Sequence, residues 1–151
     1  MGQQQLLLLV LGIVIVGLAV VVGINAFSEN RVKSNADATV TDALRITSDI
    51  QAWALKPGQF GGMLSTEGIE DVTFDDIGYP NSSSTYSNVN ADYDITGSLN
   101  GGCSAITMPS GAGSDGPVFV HGTNADTGNH ICIQITGTNS NSIGTTITFG
   151  T

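Results

Sequence analysis

The sequence predicts an α+β fold, with a long N-terminal α-helix packed on a small antiparallel β-sheet head. Three observations predict it. From Leu6 to Ile24 every residue is aliphatic, Ala or Gly. No Pro or Gly occurs between Ile24 and Lys56 to stop a helix. The last third of the chain alternates β-forming residues with turns rich in Gly, Asn, Ser and Asp.

The apolar run comes first. Residues 1–27 carry no charged side chain. At about 1.5 Å per residue, Leu6 to Ile24 span roughly 28 Å, close to the hydrocarbon thickness of a bilayer. Only a helix satisfies its own backbone polar groups in lipid, so a segment of this kind is helical in a membrane. It is apolar on every side, so lipid or other copies of the helix must cover it. A removable secretory signal fits poorly. Met1-Gly2-Gln3-Gln4-Gln5 has no basic residue, the run is too long, and Ile24-Asn25-Ala26 places a bulky Ile where a cleavage site wants a small one.

Residues 28–57 extend the helix as an amphipathic half. Val32, Ala36, Val40, Ala43, Thr47, Ile50 and Ala54 recur at steps of three and four and form one apolar stripe. Glu29/Lys33 at i,i+4 and Asp42/Arg45 at i,i+3 place opposite charges side by side. Trp53 stands near the end of this half, where its ring would anchor helix to head. Lys56-Pro57-Gly58 is a stop signal, so one helix is expected to about Leu55, roughly 80 Å long at 1.5 Å per residue. Residues 58–151 remain for a β-rich head with a modest core, which the helix stripe would complete.

A helix that is greasy first and amphipathic second, followed by a small β-rich domain, resembles the plan of a type IV pilin. The likeness covers residues 1–55 in detail and the rest as architecture. It implies N-terminal half-helices packed in a filament core, an N-terminus subject to methylation, and heads held outward. It also implies partners: copies of the chain, inner-membrane lipid before assembly, and pilus assembly machinery. Bacterial members usually carry a glutamate at the fifth mature position, where this chain has Gln5. With Met1 as the first mature residue, Gln5 takes that place as an uncharged amide and the basic leader is already gone. Archaeal-type pilins commonly lack that glutamate. A lost basic leader would also reconcile membrane orientation with Arg31 and Lys33, which follow the run while nothing basic precedes it.

The residues expected to pack in such a core are Gln5, Leu6, Leu9, Gly12, Ile13, Val16, Gly17, Ala19, Val20 and Gly23. The glycines leave low points where backbones approach, and Ala19/Gly23 is a small-xxx-small pair. The expected role is a structural subunit on the cell surface. Two other readings stay open: a single-pass membrane-anchored domain that binds something outside the cell, and a secretion-system pseudopilin.

Charge is asymmetric. Up to Pro57, four acids (Glu29, Asp37, Asp42, Asp49) balance Arg31, Lys33, Arg45 and Lys56, and beyond it there is no Lys or Arg. The net charge of −9 therefore lies on the head, with Glu67, Glu70, Asp71, Asp75, Asp76, Asp92, Asp94, Asp115 and Asp126. Such a surface does not neutralise phosphates, which argues against nucleic acid as a partner, and it is repelled by anionic lipid. Glu70, Asp71, Asp75 and Asp76 flank an expected short strand at Val72-Thr73-Phe74. They read as a solvated turn, with Asp71, Asp75 and Asp76 the weak candidates for calcium, joined by Asp92 and Asp94, in no EF-hand spacing.

Asn81 to Asn88 is a polar run expected to form a surface loop, and Asn81-Ser82-Ser83 matches a glycosylation acceptor. Strands are expected near Tyr93–Gly97, Ser104–Met108, Val118–His121, His130–Thr136 and Gly144–Phe149, joined by short loops as an antiparallel meander. In 130–136 the odd positions are all Ile, which predicts one buried and one outward face. Cys103 and Cys132 suggest a disulfide in an exported domain, and many pilin heads carry one near the C-terminus. A zinc site drawing on both with His121 and His130 has no familiar spacing. No phosphate loop, HExxH, nucleophile elbow or haem-attachment motif occurs, so no enzyme and no cofactor are expected. The aromatic residues are scattered along the chain.

Overall fold

The computed structural model describes residues 2–63, 68–80, 85–96, 117–137 and 143–148; side chains are not described for Glu70 or for 143–148. Helix α1 runs Gly2–Leu55. The chain forms two compact units, Met1–Ser34 and Asn35–Thr151.

The first unit is the apolar part of α1 with the charged turns that follow it to Ser34. Leu6 through Ile24 are exposed on all sides, with Gly23 alone half-buried. Beyond them Lys33 bonds Glu29 at 2.8 Å across one helical turn, the pair that i,i+4 spacing predicts.

In the second unit the rest of α1 packs on a five-stranded sheet. The strands are β1 (Thr85–Ser87), β2 (Asp92–Thr96), β3 (Val118–Thr123), β4 (His130–Ile135) and β5 (Ile143–Thr148). Their order in the sheet is their order in the chain, and every neighbouring pair is antiparallel, so the sheet is the expected meander. The expected strand at Ser104–Met108 lies outside the described residues.

The core lies between α1 and the sheet. The helix contributes Ala43, Ile46, Ile50 and Trp53, and the strands contribute Tyr93, Ile95, Val118, Val120, Ile131, Ile133 and Ile135. Trp53 is buried there, so its ring does tie helix to head. The buried stripe is wider than its simplest reading. Thr39, Ile46 and Trp53 join Ala36, Ala43, Thr47 and Ile50. Six of the seven fall in two columns with a spacing of seven, Thr39/Ile46/Trp53 and Ala36/Ala43/Ile50, with Thr47 beside the second. Thr39 and Thr47 bury their hydroxyls at no cost in unmet bonds, since each donates to the carbonyl four residues back.

Two glycines let this packing close. A Cβ on Gly122 of β3 would stand 3.1 Å from the Thr39 methyl and 3.1 Å from the Tyr93 ring, so helix and sheet approach closely over a position without a side chain. After Pro57 the chain folds back on the end of α1, and a Cβ on Gly62 would overlap the Lys56 carbonyl oxygen at 2.1 Å.

Three local expectations are corrected. Val72-Thr73-Phe74 is no strand: a 3-10 turn occupies Ile69–Asp71 and a further turn follows at 74–78. The Asp71 and Asp76 carboxylates take the backbone N–H groups of Gly68 and Thr73, and a strand would offer such groups to a neighbour. Thr85–Ser87, expected in a loop, is an edge strand, because Tyr86 stacks on its cross-strand partner Tyr93 with ring centroids 6.1 Å apart. Finally, β4 is buried on both faces. Cys132 and Gln134 are as enclosed as the three isoleucines, and Cys132 packs with Phe119 of β3.

Candidate functional site

The side chains expected to pack in a filament core have no partner within their own unit. Gln5, Leu6, Leu9, Gly12, Ile13, Val16, Gly17, Ala19 and Val20 are exposed, and Gly23 is half-buried. Leu6 and Ile13 keep 66% and 65% of their surface open, values ordinary for a polar side chain in water and costly for an aliphatic one. Added Cβ atoms on Gly12, Gly17 or Gly23 would meet nothing within 4 Å.

These residues form an ordered face. Gln5/Gly12/Ala19, Leu6/Ile13/Val20 and Leu9/Val16/Gly23 are three columns with a spacing of seven. At about 100° per residue, Gly12, Ala19 and Gly23 fall within about 40° of one another, beside the Leu9/Val16 column. The result is a shallow notch of small residues bordered by large aliphatic ones, a surface onto which another helix can lay its backbone. Helix α1 is long and apolar enough to cross a membrane, and none of its most apolar stretch is buried.

A second cluster joins α1 to the sheet within the head unit. Asp42 accepts from Asn88 Nδ2 at 2.9 Å, Asn90 Nδ2 at 2.7 Å and the Tyr93 hydroxyl at 3.2 Å. Burial pushes the Asp42 carboxyl up, but the bonds from Asn90, Asn88 and Tyr93 and the Arg45 charge outweigh it and hold the group below its ordinary value. Two turns further on, the Tyr79 hydroxyl donates to Asp49 at 2.9 Å. Burial first, then that bond and the Asp49 charge, push Tyr79 up to about 12. Asn35 completes the belt: its amide donates to the Asn90 carbonyl at 3.0 Å, and its oxygen accepts from Thr127 at 3.0 Å and Asn129 at 3.2 Å.

Sequence spacing hid this cluster. Asp42 was expected to pair with Arg45, yet no salt bridge forms between them, and its carboxylate turns to residues 46 to 51 positions away. The aromatics, scattered in sequence, are gathered in space. Phe74, Tyr79, Tyr86 and Tyr93 form a contiguous cluster with centroid separations of 4.9 to 6.1 Å. Tyrosines with acids seven residues apart on the facing helix, Asp42 and Asp49, were the available signal.

Of the candidate calcium ligands, Asp71 and Asp76 are engaged in their own turns and Asp75 is exposed. No group of three or more His, Cys, Asp or Glu side chains is placed to hold a metal among the described residues. His121 and His130 stack at 5.8 Å on the sheet face turned away from α1. His121 Nε2 is buried without a hydrogen-bond partner. Burial and then the neighbouring His130 lower its pKa, against the opposing charge of Asp94. Cys132 carries no free thiol; Cys103 and Asn81 lie outside the described residues.

Comparison with protein-family models, with curated proteins and with solved structures finds no match. What stands is an architecture, a long apolar N-terminal helix with a small antiparallel sheet, that is consistent with a pilin-like plan.

Proposed function

We propose that the chain is a structural subunit of an extracellular pilus-like filament, assembled through the apolar half of α1. The observation that carries this reading is the exposure of an ordered aliphatic face from Leu6 to Ile24 that its own unit leaves uncovered. In the cytoplasmic membrane, lipid covers that face. In the filament, sibling helices cover it, with the notch at Gly12, Ala19 and Gly23 admitting a neighbour's backbone. Lipid tails are as apolar as leucine, so moving from bilayer to bundle gains little hydrophobic free energy. Packing must supply the rest, and extraction needs assembly machinery.

Once outside, the helix bundle is held by water. A buried Leu, Ile or Val contributes about 1.5 to 3 kcal/mol, and this outweighs contacts between acidic heads. The heads then form an anionic coat. A Cys103–Cys132 bridge belongs to this reading; closing its loop would stabilise the head by about 3 to 4 kcal/mol in the chain-entropy model. Modification at Asn81 would raise the intact mass above 15.5 kDa.

Negative-stain microscopy of material sheared from cells, with mass spectrometry of the fibre, tests the proposal. Long fibres built of this chain support it. A chain found only as detergent-soluble monomer in the membrane fraction contradicts it and favours a single-pass anchor for an external binding domain.

A further inference from the structure

Within the head unit, α1 turns one stripe away from the sheet, and that stripe is not simply polar. Leu44, Arg45, Ser48, Ala52, Leu55 and Lys56 are all exposed, the two leucines by 44% and 67%. Leu44 and Leu55 are eleven residues apart, as are Arg45 and Lys56, so each pair stacks on one side of the helix about three turns apart. Ser48 and Ala52 lie between and leave a low saddle. Phe60, just past the helix, is 72% exposed.

The cations on this stripe are exposed, and Arg45 acts on Asp42 only at a distance. Neither Arg45 nor Lys56 enters a salt bridge, the Lys33–Glu29 pair being the only one among the described residues. Beyond Pro57 the head has acids and no Lys or Arg, so exposed cations on the helix complement the carboxylates of a neighbour's head. The densest described group of exposed carboxylates is Asp71, Asp75 and Asp76. Asp75 is the one whose side chain caps no turn.

We infer that the stripe from Leu44 along the outer side of α1 to Lys56, just past its end, docks a second copy of this chain, which presents its acidic turn around Asp75 to Arg45 and Lys56. The inference rests on the filament reading and deepens it by naming the contact between heads. The contact is heterologous, since helix stripe meets loop, and contacts of that kind propagate along a fibre instead of closing a dimer. Leu44 and Leu55 supply the apolar centre, and the charge pairs set register at its rim.

The test uses the full chain expressed in cells that assemble it, scored by sheared-fibre yield and by the amount of chain in the membrane. Arg45→Glu should lower fibre yield about ten-fold, the effect of losing roughly one well-placed charge pair and replacing it with repulsion. Lys56→Glu, remote from the Asp42 cluster, should act in the same direction with the membrane pool unchanged. Adding Asp75→Arg to Arg45→Glu should restore most of the yield. Wild-type yield from the Arg45→Glu/Lys56→Glu variant overturns the docking face and leaves the filament standing. So does a defect that Asp75→Arg fails to repair, or one repaired instead by reversing Asp92 or Asp126. Absence of fibres from the unaltered chain overturns both.

Discussion

The Asp42 carboxylate on α1 accepts the Tyr93 hydroxyl of β2 at 3.2 Å, across 51 residues of chain. The same carboxylate gathers the amides of Asn88 and Asn90 on the turn that precedes β2. One side chain thus seats the first hairpin of the sheet on the helix. Asp42→Ala should cost about 2 kcal/mol, because it leaves two amides and a phenol without their acceptor. Asp42→Asn, which keeps one oxygen, should cost less. Denaturant unfolding of the full chain in detergent, followed by the fluorescence of Trp53, the single tryptophan, measures both.

Ionisation of the same belt sets the pH range of the head. Asp42 has a lowered pKa when folded, so its contribution is complete above the ordinary aspartate value and is lost as pH falls through the lower folded one. Tyr79 is raised, so its contribution is complete below pH 10.0 and is lost as pH climbs through about 12. Tyr93 is raised as well, by burial and then by Asp42, and reinforces the alkaline limb. Trp53 fluorescence against pH should therefore show loosening at both extremes, and Asp42→Asn should weaken the acid limb.

His121 adds an earlier acid step. Its folded pKa lies below 6.5, so stability is complete above that value and declines as pH falls through the folded one. His121→Phe, which removes the buried imidazole and leaves its neighbour His130 in place, should remove the step while the Asp42 limb persists. The comparison is a pair of unfolding midpoints at mildly acidic and neutral pH.

Gly122 reports on a close approach of helix and sheet. Ala there needs the Thr39 methyl and the Tyr93 ring to give by a few tenths of an ångström, and Val needs more. Gly122→Val should cost about 1 to 3 kcal/mol, the usual toll of overpacking. Thr39→Ser in the same chain should recover part of it by removing the opposing methyl. Unfolding midpoints of the single and double variants decide it.

Much of this was legible in the residues, and the gaps have physical causes. The helix stop at Pro57, the meander and the Ile131/Ile133/Ile135 face follow from local pattern, which a chain expresses over a few neighbours. Thr85–Ser87 is short and polar, and only its pairing with β2 through Tyr86 and Tyr93 makes it a strand. The second buried face of β4, with Cys132 and Gln134, depends on what covers it, and alternation alone does not report that. Asp42 beside Arg45 looked like a local ion pair, whereas its bonds go to partners that only the finished fold brings near. The apolar half of α1 was the plainest feature. Its helical state and its exposure are structural facts, and its assembly is the proposal.

The notch on that half-helix separates stability from assembly. Gly12→Leu meets no neighbour within 4 Å, and replacing an exposed helical glycine favours the helix by about 1 kcal/mol. The variant should therefore insert in the membrane normally and show helix content at least equal to the parent by circular dichroism. Fibre yield should nonetheless fall, because the added side chain occupies the space a neighbouring backbone needs.

A photo-crosslinking amino acid at Ala19, activated in intact cells, tests most directly whether the apolar face meets its own copies. The account predicts a ladder of covalent multimers of this chain in the sheared fibre, cross-linked through residues 2–27. Cross-links confined to lipid or to unrelated proteins, with the chain always monomeric, would contradict it.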